Sequence, residues 1–560
     1  MIIDGQGVDA SLSADVAVVG AGPAGIVTAL EVADGGLDVL LIESGHTHPD
    51  KAIQSLGDAA ALDESLHAPM SMATRRQVGG ASAIWGGRCV PFDRVDFDTR
   101  PWIVDHEWPV TYDEVRKYFQ AACDWFVCGR AVFDATETGR LPPSIVPGLP
   151  NGDVLTSTLE RWSLPTHFGV QYAERLRASG RVRVVSGLTC THIATRGHDV
   201  DRLACRTIDG KTVDIRARRY VVACGGLEST RLLLASPHAD GRAIGNHSDH
   251  LGRWYMGHIE GVVATVHFHT PPSATIYDYE RDADGVYVRR RFTFSREYQK
   301  SNSLPNIASW LVHPELGQAA HRSGILSLAY LALASPLGPF IAPEALRIPM
   351  IGGRVPGVPY GGAAPSPTLE HIRNLCTDAW PTARFAVGFG ARRFLARGRR
   401  VPGFAVHNRA NVYPLLYHGE HLPRRDSRVT LSGQRDAVGM PRIQVEIRFS
   451  DADVEGVVRA HRAWDEHLRR CNAGEIRYHS DDVAADVRGR MGGGFHQSGT
   501  TRMSRRPEDG VVDANLAVHG IPNLFVVSSS VFPTSSQANS TFLIVAFAVR
   551  LAEHLKRTMS

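Results

Sequence analysis

The 560-residue chain has ordinary apolar content and sets 61 Lys and Arg against 58 Asp and Glu, a formal net charge of +3. Such a length allows two intimately joined domains around a buried site, and a balance this close to neutral gives no electrostatic case for a nucleic-acid or strongly acidic partner. The eight cysteines form no CxxC pair, residues 1–15 lack a basic and an apolar leader region, and no stretch is apolar enough to span a bilayer; the reading is a cytoplasmic protein with reduced thiols and no membrane anchor.

Along the chain, "ADVAVVGAGPAGIVTALEVADGGLDVLLIESG" gives an apolar strand over 16–19, a turn Gly20-x-Gly22-x-x-Gly25, an apolar helix over 26–32 and a second strand over 39–42 closed by Glu43. Gly20 suits the tight turn, Gly22 lets backbone approach a pyrophosphate, and Gly25 lets the helix pack against the strand. Glu43 is placed to accept ribose hydroxyls. The unit predicts a doubly wound α/β domain that binds FAD or NAD, and the turn does not choose between them.

A second glycine cluster, "RRQVGGASAIWGGRCVPFD", has no clear helical period. Its small residues Gly79, Gly80, Ser82 and Gly86 allow a loop to lie flat against a planar ligand, with Trp85 as a cover. "RRYVVACGGLESTRLLLAS" repeats the strand-glycine-helix pattern, with a turn at Gly225-Gly226 and a helix beginning near Glu228; it reads as a later strand of the same sheet.

From 261 to 489 the chain mixes alternating strands such as "GVVATVHFHT" and "PRIQVEIRF" with the apolar segment 325–343. Broken by Ser335, Pro336 and Pro339, that segment reads as a buried helix or subunit contact, with a loose membrane-surface contact as the weaker reading. "ARRFLARGRR" reads as a solvated basic face, with recruitment of an anionic acceptor or partner as the minor option. The histidines of "GHTHPD" and "NHSDHLG" lack metal-ligand spacing, so no metal site is expected.

Near the carboxy terminus, "GGGFHQSGTTRMS" places His496 among glycines and small hydroxyl residues, which leaves room for a substrate beside it. A strand over 523–527 then leads through "SSSVFPTSSQANS" into an apolar helix over 541–555. Asn539-Ser540-Thr541 is an N-terminal capping sequence whose free amides suit an electron-rich acceptor such as the flavin pyrimidine edge.

These motifs together resemble the glucose-methanol-choline (GMC) flavoprotein oxidoreductases. The resemblance rests on "VVGAGPAG" with "LIESG", "VGGASAIWGG", "WPVTYDEVRKYF", "ACGGLESTRLLLAS", "NHSDHLGRWYMGH", "DSRVTLSGQRDAVGMP", "HQSGTTRM" and "NLFVVSSSVFPTSSQANSTF", in the family's order. The nearest look is to its pyranose 2-oxidase-like and glycoside 3-oxidase-like branch, which pairs His with Asn. It implies a Rossmann-like FAD-binding domain (1–105, 170–260, 490–560) and a discontinuous α+β substrate domain (106–169, 261–489). The implied base is His496 and its partner Asn539. Pro23, Ala24, Ser44, Arg75, Cys190, Ala223 and Ser530 join Gly20, Gly22, Gly25, Glu43, Gly79, Gly80, Ser82, Trp85, Gly86, Gly225, Asn539, Ser540 and Thr541 as the residues assigned to FAD.

Two departures matter. Ser540 stands where the family usually has proline, and serine can still cap the helix. Ile84 occupies the position of the flavin-linking histidine of pyranose 2-oxidases, which implies non-covalent FAD. The implied reaction is oxidation of a secondary hydroxyl of a sugar or glycoside, at C2 or C3 of a pyranose, with oxygen or another acceptor taking the electrons. Oxidation of a primary aminosugar alcohol, a sterol or another alcohol is the alternative, a non-redox lyase with FAD as scaffold stands behind it, and an oligomer is possible.

Overall fold

The computed structural model describes residues 2–104, 106–164, 166–358 and 360–559. Strands β1 (Ile2–Asp4), β2 (Ser11–Val19), β3 (Val39–Ile42) and β4 (Val182–Ser186) run parallel in the order β1-β4-β3-β2. Residues 16–19 and all of β3 are buried, which explains why they read as continuous apolar runs rather than alternating ones. Helix α1 (Pro23–Asp34) crosses from β2 to β3, with Pro23 at a first-turn position where its missing N–H costs nothing. A Cβ on Gly25 would lie 1.8 Å from the Gly20 carbonyl oxygen, so only glycine lets α1 leave β2 this closely.

Next, β5 (Thr189–Arg196), β6 (Asp199–Arg206) and β7 (Thr212–Val222) form an antiparallel meander, and β7 pairs in parallel with β2. Helix α2 (Gly226–Leu234) follows the glycine turn, two residues earlier than the sequence suggests.

A second, antiparallel sheet has the order β9-β10-β8-β11, built from β8 (His258–Phe268), β9 (Ile307–Leu311), β10 (Val412–Glu420) and β11 (Gly474–Tyr478). Between β9 and β10 the chain leaves this sheet for α3 (Gly324–Ala334), α4 (Gly338–Ile341), α5 (Glu344–Met350), α6 (Thr368–Thr377) and α7 (Ala379–Gly390), gathered around α3. The buried-helix reading of 325–343 holds for α3, which buries Leu326, Tyr330 and Leu333; beyond it Leu337, Phe340 and Ile341 are exposed. Helix α8 (Asp451–Arg470) packs on the second sheet through Trp464 and its apolar neighbours.

The chain then returns to the first sheet. Strand β12 (Ile521–Val526) lies parallel to the last residues of β7, and α9 (Thr541–Met559) packs on α1. Each sheet has its own apolar core. Among the described residues, no helix is long and apolar enough to cross a membrane.

Candidate active site

The carboxyl ends of β2, β3 and β7 open on one cleft. Gly20, Gly22, Pro23, Ala24, Glu43, Ser44, Arg75, Gly80, Ser82, Trp85, Cys190, Ala223, Gly225, Ser540 and Thr541 all line it. Gly22 precedes helix α1 and offers no side chain to cap its first amides, and a Cβ there would meet no atom within 4 Å. Free amides at a positive helix end, beside open space, fit a pyrophosphate. The Glu43 carboxylate accepts the backbone N–H groups of Ala21 (2.7 Å) and Gly45 (2.8 Å), which fixes it at the end of β3 with lone pairs to spare for a ribose.

Other assigned residues lie behind or beside the cleft. Gly25 serves the strand-helix crossing, and Gly79 takes φ +100° where the second glycine loop turns. Ser530 is fully buried and shares hydroxyl hydrogen bonds with Thr501 and Ser528, both 2.6 Å. Gly86 and Asn539 face the adjoining cavity. Arg76 was not singled out in the sequence, yet it lines the cleft, donates to Ser44 Oγ at 2.9 Å and pairs with Glu228 of α2.

The adjoining cavity, of about 1020 Å³, meets the cleft at Trp85, His496 and Thr541. His496 and Asn539 come together here, as Asn539 Nδ2 donates to His496 Nε2 across 3.0 Å. The small residues around His496 divide between two tasks. Gly492, Gly493 and Gly494 line the cavity beside His496, as the sequence suggests, while Cβ atoms on Gly492 and Gly499 would stand 2.7 Å from Gly357 Cα and 2.1 Å from the Trp254 carbonyl oxygen, so these two glycines also let backbone approach backbone. Ser498, Thr500 and Thr501 are buried, and Thr500 receives the Thr230 hydroxyl at 2.7 Å.

Two further histidines complete the cluster. His258 opens β8, and His418 sits on the neighbouring β10, directly opposite Glu260. With side chains alternating along a strand, His258, Glu260 and His418 share one face. Their rings are close: His258 stacks on His418 at 4.1 Å and meets His496 edge-on at 4.8 Å.

The hydrogen bonds determine where the protons sit. The Ser535 carbonyl can only accept, so His258 Nε2 carries its proton (3.3 Å) and the neutral ring leaves Nδ1 as an acceptor. His496 Nδ1 therefore donates to His258 Nδ1 across 3.0 Å, and the His496 lone pair falls on Nε2, toward Asn539 and the cavity. Burial pushes His496 down to about 4, with Arg88 acting in the same direction. Burial likewise holds His258 and His418 well below the usual imidazole range. One ring nitrogen from each of His258, His418 and His496 lies within 4.8 Å of the other two, a metal-like spacing in a set of six ring nitrogens. Five of the six are engaged: two between His258 and His496, and the others with Asn539, Ser535 and, from His418 Nδ1 at 2.6 Å, the Gln537 carbonyl.

The sixth, His418 Nε2, faces the Glu260 carboxyl at 4.0 Å. Burial raises Glu260 to about 7 against the pull of Arg88. Further out, Trp310 lies under both Arg88 (4.5 Å) and Arg289 (4.6 Å), which share Glu160 at 2.7 Å each.

A dinucleotide cleft that meets a large cavity at a neutral, oriented imidazole suits an oxidoreductase that uses FAD or NAD. Comparison with known proteins agrees. The FAD dependent oxidoreductase family matches residues 15–299, and the GMC oxidoreductase carboxy-terminal family matches residues 423–548. The chain belongs to the FAD-dependent GMC oxidoreductases. It is 23% identical to paromamine 6'-oxidase of Streptomyces fradiae over 96% of this chain and 90% of that one. It is 35% identical to C-glycoside 3-oxidase of Microbacterium trichothecenolyticum over 25% of this chain and 26% of that one. Pyridoxine 4-oxidase from "Mesorbium loti" shares the fold at a TM-score of 0.55 and 18% identity, covering 96% of this chain and 98% of that structure.

Proposed function

We propose that this enzyme oxidises a secondary hydroxyl of a sugar or glycoside, at C2 or C3 of a pyranose, to a ketone. The observation that carries this reading is the His496–Asn539 pair, set where the cofactor cleft meets a cavity lined by Trp310, Tyr277 and Tyr279 beside Glu260, Arg88 and Arg289. Aromatic faces and fixed charges are what a polyhydroxylated ring needs, and the volume admits a glycoside.

Bound in the cleft, FAD supplies the acceptor for the hydride that leaves the substrate carbon. His496 Nε2 takes the hydroxyl proton once the substrate hydroxyl replaces Asn539 Nδ2 as its partner, and its low basicity in the protein keeps Nε2 unprotonated at neutral pH. Asn539 Nδ2 donates to the same substrate oxygen and orients the carbon; its Oδ1, buried without a partner among the described residues, supplies a further acceptor at this junction. His258 holds the tautomer that leaves Nε2 unprotonated. Within this reading FAD is held without a covalent bond, because Ile84, which lines the cavity, occupies the position that the family resemblance gives to the flavin-linking histidine of pyranose 2-oxidases. In this reading residues 1–105, 170–260 and 490–560 bind FAD, and residues 106–169 and 261–489 form the substrate domain.

The test is anaerobic mixing of the yellow protein with monosaccharides and O- and C-glycosides. Bleaching of the flavin band with a keto-sugar product supports the reading; failure of every sugar to bleach it overturns it. A second reading, oxidation of a primary alcohol on an aminosugar, draws on the similarity to paromamine 6'-oxidase and on the Glu260 carboxyl, which suits an ammonium group. An aldehyde product in the same assay selects it.

A further inference from the structure

We propose that residues 337–400 form a docking surface for an anionic phospholipid bilayer, on which the protein lies without crossing it. Of the twelve large apolar side chains that stand exposed among the described residues, ten fall between Leu337 and Leu395. Phe340 is 88% exposed, Trp380 78%, Leu395 78% and Leu369 76%. A scatter of single exposed apolar residues is ordinary, whereas a concentration of this kind marks a surface that something covers.

The secondary structure organises these side chains. On α7 and the π-helical turn after it (Ala391–Leu395), Trp380, Val387 and Phe394 recur every seven residues and so share one stripe. Phe385 and Phe389 pack inward on Phe404, with ring centroids 5.3 and 5.4 Å away. On α6, Leu369, Ile372 and Cys376 follow the same helical spacing and are all exposed. A helix apolar on its inner and outer faces is normally buried; here the outer face is open.

Charge indicates the occupant. Residues 337–400 contain nine arginines, no lysine and three acids (Glu344, Glu370 and Asp378), a net +6 within a chain of net +3. The rest of the chain is therefore net −3, so positive charge is concentrated where the apolar side chains are. Exposed Arg373, Arg384, Arg392, Arg397 and Arg400 form no ion pair among the described residues, unlike the many arginines paired with carboxylates elsewhere. Unpaired guanidiniums around exposed aromatic and aliphatic side chains match lipid phosphates above acyl chains. A second copy would instead set one +6 face against another.

The placement is also consistent with access to the site, since α5 contributes Leu346 to both the exposed surface and the cavity lining. The stretch lies between the regions matched by the two families, 15–299 and 423–548.

The test is flotation of the FAD-loaded enzyme with vesicles of phosphatidylcholine alone and of an equal mixture with phosphatidylglycerol. We expect flotation with the anionic vesicles, reduced by high salt, and little with phosphatidylcholine. Trp380→Ser combined with Phe394→Ser, and separately Arg384→Glu combined with Arg392→Glu, should each reduce flotation at least fivefold while flavin content and melting temperature stay at parental values. The charge variant keeps the test valid if the apolar one misfolds. Absence of flotation with both vesicle types overturns the proposal. So does a parental dimer that fails to float and becomes monomeric in the variants, which would assign the face to a second copy.

Discussion

At the scale of single residues, His496 depends on two neighbours: Asn539 donates to its Nε2, and His258 accepts from its Nδ1. Replacing His496 by Ala should leave FAD bound and slow anaerobic flavin reduction on the order of a hundredfold or more, the loss expected with a general base. Reduction at the parental rate would remove His496 from the role. Because only the neutral ring can take a proton and the folded enzyme holds His496 at about 4, the parental rate should be insensitive to His496 protonation at neutral pH and lose that contribution only on approaching pH 4. Glu260, held at about 7, should add a separate inflection in KM near that pH, absent in Glu260→Gln; persistence of the inflection in that variant would assign it elsewhere. His258 acts through His496 and is a positioning residue. His258→Ala should lower kcat about ten- to a hundredfold with little change in KM, and His258→Asn, whose Oδ1 can accept the His496 Nδ1 proton, should recover part of it. Equal rates in the two variants would show that the tautomer is set by something other than His258.

At the scale of elements, the β2-turn-α1 unit uses its glycines for separate tasks that substitution can distinguish. Gly25→Ala places a methyl 1.8 Å from the Gly20 carbonyl, so α1 must move off β2; destabilisation of about 3 kcal/mol or more and loss of bound flavin are expected. Gly22→Ala meets nothing within 4 Å, so the fold should melt as the parent does while FAD affinity falls, because the new methyl enters the phosphate cradle. Thermal melts with flavin titration check both, and a flavin-loaded Gly25→Ala protein of parental stability would contradict the packing argument. This unit was legible in the sequence because it is local: two buried strands, a glycine turn and an acid lie within thirty residues, and β3 has the predicted bounds. His496 and Asn539 were legible because each sits in a distinctive short segment. His258 and His418 were not identified, since their roles arise from the antiparallel register of β8 and β10, about 160 residues apart in sequence. Some signal was present, as "NHSDHLGRWYMGH" ends on His258 and "LLYHGE" alternates His418 with Glu420. The small residues near His496 were legible in part: Gly492 to Gly494 do line the cavity, but one sequence cannot show that Gly357 and Trp254 press against Gly492 and Gly499.

For the whole molecule, the buried neutral histidines impose a cost on acidification. His258, His418, His461 and His496 are held below the ordinary imidazole value, chiefly by burial, with His461 and His496 at about 4. In the unfolded chain they gain protons as the pH falls through about 6.5, whereas the folded protein resists. Each therefore costs up to about 1.4 kcal/mol per pH unit between that value and its own folded pKa, and the loss grows as the pH falls toward 4. Two carboxyls act in the opposite direction. Burial raises Asp96 and Glu260 to about 7, so their protonated forms favour the folded state below that pH and their contribution is lost as the pH rises through it. Further histidines that burial lowers, among them His67, His313 and His321, the last to about 4, act with these four, so the two carboxyls leave a net loss on the acid side. The melting temperature of the FAD-loaded enzyme should fall by several degrees from pH 6.5 toward 4, and Glu260→Gln, which removes one opposing carboxyl, should steepen that fall. A melting temperature that stays flat or rises over this interval would mean that these imidazoles take protons as readily folded as unfolded, and the burial argument that holds His496 at about 4 would fail.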